Sequence, residues 1–146
     1  MTVRELLKSR PREIVTIKPS AALPDAMALM LEHKVGCLPV LSGSGDLLGI
    51  LDDKDIFRAI YEHQDDFAKY TAEQWMTADL IIGVPDDSLS YIVGLMVKNV
   101  IRYVPIMEKQ KMIGLISQGD VVKAQMKHME ITNRYLKMYM EGTHLG

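Results

Sequence analysis

The chain has 146 residues, of which 48% are hydrophobic and 25% are charged, and its formal net charge is −2. This composition is typical of an ordinary globular protein of about one domain or two tightly joined units. Nucleic-acid binding usually needs a clustered excess of Lys and Arg against the phosphates, so the slightly acidic balance argues against DNA and RNA as partners.

Nothing in the sequence indicates a membrane or an oxidising compartment. No apolar run approaches the ~20 residues that cross a bilayer, and the first residues, MTVRELLKSRPRE, are too charged for a signal peptide. The single cysteine, Cys37, excludes an internal disulfide, and its apolar neighbours indicate a buried thiol rather than a reactive one. We therefore expect a cytoplasmic protein with no membrane partner.

The first half of the chain predicts a strand, a helix, two strands and a second helix. Residues 14–17 form a short apolar segment, and apolar residues then recur every three or four positions from Leu23 to Met30, as in an amphipathic helix. The segments CLPVL and LLGIL, separated by a turn rich in Gly and Ser, predict two buried strands. The last helix begins at the segment DDKD.

The second half of the chain repeats this pattern. Pro105 aligns with Pro39 at an offset of 66 residues, and Gly114 aligns with Gly49 at an offset of 65, because the second turn is one residue shorter. Each repeat is predicted to be β-α-β-β-α, and units of roughly 60 residues are marginal alone. We therefore expect an α+β fold in which two repeats pack sheet to sheet with pseudo-twofold symmetry.

The remaining segments are predicted to be a connector and a C-terminal helix. The first repeat is expected at residues 1–62, a polar connector with isolated aromatic residues at 63–74, and the second repeat at 75–126. Helical spacing of apolar residues continues through residues 127–146 until Gly142, where the helix is predicted to end. Its Met-rich stripe indicates either a cover for the repeat core or a dimer seam.

Two motifs suggest other functional sites but do not fit them. GSGDLLG, residues 43–49, lacks the Gly-Lys-Ser or Gly-Lys-Thr ending of a phosphate loop, and no helix is predicted after it, so it indicates a hairpin turn. His63, Asp65 and Asp66 cluster on the polar connector, where solvated side chains are more common than metal ligands. No catalytic constellation emerges, so we expect neither a catalytic site nor a metal site.

The most informative motif is a phrase that occurs twice, as GILDDKD at residues 49–55 and as GLISQGD at residues 114–120. In the second copy Ser117 stands where a helix begins, and Asp120 falls in its first turn, near the positive end of the helix dipole. A carboxylate there can accept hydrogen bonds from both hydroxyls of a ribose, and the free amides suit a phosphate. Ser-x-x-Asp is also a common capping pattern, and the two roles can coexist.

Taken together, these features resemble a tandem pair of CBS domains, the cystathionine β-synthase type of regulatory domain, which forms a Bateman module. The resemblance rests on Met76 and Thr77, on the segments VGCLPV and IRYVPI, and on the repeated phrase, and it covers residues 1 to about 126. It implies a non-enzymatic, ligand-sensing module that needs no cofactor and binds AMP, ADP, ATP or S-adenosylmethionine in clefts between the repeats. It also implies a homodimer and an unidentified regulated partner protein.

Carried over by position, the resemblance implies two clefts, each built from both repeats. Site A would contain Arg10, Glu13, Val15, Val35, Gly36, Ser117 and Asp120. Site B would contain Asp52, Asp55, Met76, Asp79, Ile81, Ile101 and Arg102.

Site B departs from the family pattern at Asp52, where Ser or Thr is usual. One extra negative charge at an assumed ~8 Å opposes a phosphate charge by about 2 kcal/mol at an effective dielectric constant near ~20. Site A is therefore predicted to accept a phosphate, whereas site B is predicted to prefer an uncharged or cationic adenosyl group, or to remain empty.

A second hypothesis is a structural or interaction protein that keeps the fold without the ligand and uses the dimer and the C-terminal helix for its contacts. Ser117 and Asp120 favour the sensor. Asp52, together with the lack of a second basic cluster, favours the scaffold.

Overall fold

Residues 1–141 are described by a computed structural model, which confirms the mixed helix and strand architecture. The helices are α1 (Val3–Ser9), α2 (Leu23–His33), α3 (Asp53–Glu62), α4 (Ala72–Trp75), α5 (Leu89–Asn99) and α6 (Gln118–Met140). The strands are β1 (Cys37–Leu41), β2 (Leu47–Asp52), β3 (Tyr103–Glu108) and β4 (Lys111–Ser117). The strands β1 and β2 form one antiparallel sheet, and β3 and β4 form another.

The predicted first strand of each repeat is reduced to a single paired residue. Ile17 pairs in parallel with Val40, and Gly83 pairs in parallel with Ile106. Pro19 and Pro85 follow two residues later, and because proline has no N–H to donate, the ladder does not continue through either position. The segment GSGDLLG forms the turn and the start of β2, as predicted for a hairpin.

Pro39 lies in the middle of β1 without disrupting the sheet. It stands opposite Ile50, but the N–H and C=O of Ile50 bond to Thr77 at 3.0 and 2.8 Å, so this pair needs no hydrogen bond from proline. The carbonyl of Pro39 accepts the N–H of Ile17 at 3.0 Å. The proline of the segment VGCLPV therefore joins three extended segments of the first repeat.

Each repeat has its own buried core. The first is centred on Leu23, Leu38, Leu51 and Ile56, and the second on Ile92, Val104, Ile106 and Ile116. In both, one face of a two-stranded sheet packs against the two helices that flank it, which is the predicted arrangement of each repeat.

The short helices α1 and α4 are exchanged between the repeats. Helix α1 precedes the first repeat, yet its residues Val3 and Leu6 are buried in the second core, and the N–H of Val3 donates to the carbonyl of Asp87 at 2.9 Å. Reciprocally, Ala72 of α4 is buried in the first core and donates to the carbonyl of Ala21 at 2.8 Å. Neither core is complete without a helix from outside its own repeat.

Helix α6 is a single helix of 23 residues that begins in the second repeat and extends beyond it. From Gln125 to Met140 its residues are exposed, except Met138, which is half-buried. In this described part of the chain, the distal half of α6 therefore does not cover a repeat core. The predicted helix end at Gly142 lies outside the described residues, and among residues 1–141 no helix has the length and apolarity needed to cross a membrane.

Candidate ligand-binding clefts

The larger of two cavities lies between the repeats and has a volume of about 520 Å³, within the usual range of small-molecule sites. It is bounded by the segment after α1, by the turn between α2 and β1, and by the end of β4 with the start of α6. All seven residues predicted for site A line it: Arg10, Glu13, Val15, Val35, Gly36, Ser117 and Asp120. The fold thus brings together residues more than one hundred positions apart.

Ser117 and Asp120 form a reciprocal capping box at the start of α6. The Ser117 hydroxyl accepts the Asp120 N–H at 3.0 Å, and Asp120 Oδ2 accepts the Ser117 N–H at 2.9 Å. This arrangement fixes the carboxylate at the N-terminus of the helix, at the cavity wall. The capping role of the motif is therefore present in the structure.

The second carboxylate oxygen of Asp120 faces two arginines from the segment after α1. Asp120 Oδ1 is 3.1 Å from the Arg10 guanidinium and is hydrogen-bonded by that of Arg12. Burial by itself raises the pKa of Asp120, but the hydrogen bonds from Ser117 and the Arg12 guanidinium outweigh burial and lower this pKa below its ordinary value. Asp120 is consequently a strongly acidic group, charged at neutral pH.

Arg12 was missed by the sequence analysis, although a signal for it exists. Residues two apart on non-helical, extended backbone project to the same side, and Arg10 and Arg12 flank Pro11 in this way. Lys34, at the end of α2, also lines the cavity. The larger cleft thus holds three cationic side chains against the two carboxylates Glu13 and Asp120.

Gly36 is required by the close approach of Tyr103, another residue that the sequence analysis missed. A Cβ atom at position 36 would lie 2.4 Å from the Tyr103 hydroxyl oxygen. Tyr103 is the first residue of β3, lines both cavities, and carries the Arg102 guanidinium over its ring at 5.2 Å from the ring centroid. One aromatic side chain therefore separates the two clefts.

The smaller cavity has a volume of about 140 Å³ and contains only part of the predicted site B. Five of the predicted residues line it: Asp52, Asp79, Ile81, Ile101 and Arg102. Met76 does not line it and instead packs beside Gly49, where a Cβ atom would lie 2.7 Å from the Met76 sulfur. Asp55 does not line it either.

Asp55 is held inside its own helix rather than directed towards the cleft. With Asp52 it forms the same capping box as the second repeat has, at 2.9 and 3.0 Å. Its other oxygen accepts a hydrogen bond at 2.6 Å from Arg58, three residues later in α3. Burial, followed by the nearby charge of Asp52, raises the pKa of Asp55 to about 6.

The cation of the smaller cleft is already neutralised. Arg102 donates to Asp53 at 2.5 Å and lies 3.6 Å from Asp52. Its hydrogen bond to Asp53 raises the pKa of Arg102 above its ordinary value. The carboxylates around this cleft therefore leave little positive charge to attract an anion.

The family model of the CBS domain matches residues 3–62 and 72–127 of the chain. The chain belongs to the CBS domain family. The predicted resemblance to a tandem CBS pair is thereby confirmed. Among curated relatives, this CBS pair is 31% identical over 117 residues to the CBS domain-containing protein YhcV of Bacillus subtilis, which covers 80% of this chain and 81% of YhcV. It is 25% identical over 121 residues to the uncharacterized protein MJ1225 of Methanocaldococcus jannaschii, but it spans only 41% of that protein.

Solved structures share the fold of this CBS pair. The CBS-domain containing protein ATU1752 from Agrobacterium tumefaciens superposes with a TM-score of 0.82 at 27% identity, over 85% of this chain and 92% of the other. The CBS domain pair of MJ0100, in complex with 5'-methylthioadenosine and S-adenosyl-L-methionine, has a TM-score of 0.78 at 22% identity, over 88% and 98%. CBSX2 in complex with AMP has a TM-score of 0.73 at 24% identity, over 88% and 98%.

Two side chains discussed as functional candidates have structural partners in the CBS pair. Cys37 is buried in β1, as predicted, and burial raises the pKa of its thiol. His63 Nδ1 is 3.0 Å from the Tyr70 hydroxyl and 3.6 Å from Asp66, and its ring stacks on that of Tyr70 at a centroid distance of 4.2 Å. Within residues 1–141 no group of three or more His, Cys, Asp or Glu residues is arranged to hold a metal ion.

Proposed function

We propose that this CBS pair is a regulatory module that binds a phosphate-bearing adenosine nucleotide, such as AMP, ADP or ATP, in the larger cleft. The observation that carries the proposal is the convergence of all seven predicted site A residues on one cavity of suitable size. Three cations, Arg10, Arg12 and Lys34, line it against two carboxylates, Glu13 and Asp120, which favours an anionic ligand.

In this proposal each part of the nucleotide has a partner of matching chemistry. The apolar side chains of Val15 and Val35 line the cavity and flank the adenine. Asp120 accepts the ribose hydroxyls, and the amides at the start of α6 together with the arginines bind the phosphate. AMP in the CBSX2 structure supports a nucleotide of this class.

The smaller cleft takes an uncharged or cationic adenosyl group, or stays empty. Its volume of about 140 Å³ is below the range of drug-sized sites. Asp52 and Asp53 surround Arg102, so a phosphate gains no free cation there. The methylthioadenosine and S-adenosylmethionine of the MJ0100 structure support ligands of this kind for a CBS pair.

The function proposed is regulatory rather than catalytic, in the cytoplasm, as a homodimer without nucleic-acid or membrane partners. Ligand binding between the repeats would change their relative angle, and a regulated protein partner would respond to that change. Both family matches are CBS domains, and together they account for most of the chain, which supports a module that acts on a separate target.

One observation favours a second candidate, a scaffold that needs no ligand. The distal half of α6 exposes apolar side chains, including Met126, Met129, Ile131 and Tyr135, which are 58–63% exposed. Exposed apolar area of this extent usually marks an interaction surface. In that case the fold would serve mainly to present this helix.

Titration calorimetry with AMP on the parent protein and on Asp120→Ala tests the nucleotide proposal. Removing a charged acceptor of the ribose is expected to weaken AMP binding roughly ten- to hundredfold. The parent is expected to bind one AMP per chain, because the smaller cleft is unsuited to phosphate.

Asp55→Ala is the matched control for this experiment, because Asp55 has the same capping box but lines neither cavity. Both substitutions remove a helix cap, so both should destabilise the fold by about 1 kcal/mol. Only Asp120→Ala should weaken AMP. Equal losses of affinity would contradict the assignment of Asp120, and a parent protein that binds no AMP would favour the scaffold.

A further inference from the structure

The ribose-binding position of Asp120 is already filled by the protein's own cations. Asp120 Oδ2 accepts the Ser117 N–H, and Oδ1 pairs with the guanidinium groups of Arg12 and Arg10. A carboxylate offers about four lone-pair positions, and three are used here. Two ribose hydroxyls therefore cannot both bind Asp120 unless at least one arginine leaves.

Arg12 is the arginine better suited to leave. Its side chain is 56% exposed, whereas that of Arg10 is 32% exposed. Arg10 is also the C-cap of α1, and its backbone N–H is bonded to the carbonyl of Leu6 at 3.2 Å. Arg12 lies beyond Pro11 in the segment that lines the cavity, so a rotation of its side chain alone moves the guanidinium within the cleft.

We propose that Arg12 determines the specificity of the larger cleft by exchanging partners: it pairs with Asp120 when the cleft is empty and with the ligand phosphate when it is filled. This inference rests on the proposed nucleotide function. A guanidinium has only donors, and it binds carboxylate and phosphate oxygens in the same fork geometry, so either group satisfies it.

The exchange makes selectivity depend on the whole ligand. A nucleoside without phosphate takes the Asp120 oxygen but leaves Arg12 without an anionic partner, whereas a nucleotide supplies a replacement for the bond that it breaks. Selection for phosphate then comes from rejection of the uncharged analogue as well as from attraction of the charged one. The cleft discriminates by the partner that the displaced arginine finds.

The first repeat contains a matched arrangement without this possibility. Arg58 pairs with Asp55 as Arg12 pairs with Asp120, but Arg58 belongs to the same helix as its partner and lines neither cavity. Arg58→Ala therefore removes an equivalent ion pair with no cleft beside it.

Calorimetric titration of the full chain with AMP and with adenosine tests the exchange. In Arg12→Ala, AMP affinity is expected to fall ten- to hundredfold, because a charge-assisted contact is lost. Adenosine affinity is expected to stay the same or rise by up to about fivefold, because no ion pair must be broken. Arg12→Lys keeps the charge but not the fork and should give an intermediate ratio of the two affinities, and Arg58→Ala should match the parent.

The ratio of AMP affinity to adenosine affinity decides the outcome. A ratio that is the same in Arg12→Ala and in the parent overturns the exchange, as does a parent that binds adenosine and AMP equally well while still binding in the larger cleft. In both cases the nucleoside-binding function survives. If the parent binds neither compound, the proposed function fails and the exchange fails with it. If Arg12→Ala does not fold, the ratio measured for Arg12→Lys decides, since an unchanged ratio there counts against the exchange.

Discussion

Two aspartates with the same place in their helices differ in proton affinity because of their neighbours. At Asp120 the hydrogen bonds from Ser117 and the Arg12 guanidinium overcome the effect of burial and lower the pKa. At Asp55 burial is reinforced by the charge of Asp52, which stands where the second repeat has Ser117, and the pKa rises to about 6. A single Ser-to-Asp difference between repeats thus separates one charged carboxylate from one that is protonated near pH 6.

The raised pKa of Asp55 predicts a specific pH dependence of stability. Asp55 binds its proton more tightly in the folded state than in the unfolded state, where the pKa is about 3.9. Its stabilising contribution is therefore complete below pH ~4 and is lost as the pH rises through about 6. Relative to the parent, Asp55→Asn should gain about 2 to 3 kcal/mol of unfolding free energy between pH ~4 and pH ~7.5.

Urea unfolding of both proteins at the two pH values measures this change. Comparison with the parent cancels the contribution of Asp120, which has the opposite sign because its pKa is lowered. A difference between variant and parent that does not vary with pH would show that Asp55 is ionised throughout this range.

At this scale, the sequence predicted residues that belong to a repeated phrase better than residues that act across the cleft. Ser117 and Asp120 could be located because helix capping follows from local spacing. Arg12 and Tyr103 could not, since their roles depend on which segment of the other repeat faces them. Asp55 has the right position in the phrase, but Arg58, on the same helix, pairs with its outer oxygen.

Among the elements, helices α2 and α5 both end in a left-handed residue that is not glycine. Lys34 has φ of 55° and Val100 has φ of 53°. This conformation costs a residue with a Cβ roughly 1 to 2 kcal/mol, and β-branched side chains are the least tolerant of it. Val100 is 90% exposed, so it gains little from packing in return.

Replacing Val100 with glycine is therefore predicted to stabilise the protein. Relief of the left-handed strain exceeds the extra backbone entropy of glycine, which leaves a net gain of about 0.5 to 1 kcal/mol. Chemical denaturation measures the gain. Val97→Gly is the matched control, because Val97 is also exposed but lies inside α5, where glycine costs about 0.5 kcal/mol. Destabilisation by both substitutions would mean that Val100 is not strained.

Elements with a clear period were predicted, and elements defined by distant partners were not. Helix α2 and the strand pairs have the expected apolar spacing, whereas α1 has only seven residues, four of them charged or polar. Its apolar positions Val3 and Leu6 have meaning only against the second core, which lies more than eighty residues away. The first strands were predicted too long because their pairing stops before Pro19 and Pro85.

For the whole molecule, exposed apolar side chains predict a homodimer. Val122, Met126, Met129, Leu136 and Met140 follow one another along α6 at spacings of four, three, seven and four residues, and each is at least 46% exposed. A helix whose last half has few contacts is marginal in water, so a second copy is expected to cover this face. Light scattering should give twice the 16.5 kDa of one chain.

A double substitution, Met129→Lys with Leu136→Lys, should weaken this association by placing charges on the covered face. Lys127→Glu, which changes charge outside the apolar stripe, is the control and should leave the mass unchanged. A mass near 16.5 kDa for the parent at micromolar concentration would contradict the dimer.

The exchange of α1 and α4 also constrains the order in which the protein can fold during its synthesis. Helix α1 leaves the ribosome first, but the core that buries Val3 and Leu6 is not complete until Ile116 and Val121 have been made. At about 5 to 20 residues per second, this apolar helix remains without its partner for roughly 6 to 25 seconds. A nascent chain that pauses between the repeats would therefore present an unburied N-terminal helix, the segment most exposed to early capture by chaperones.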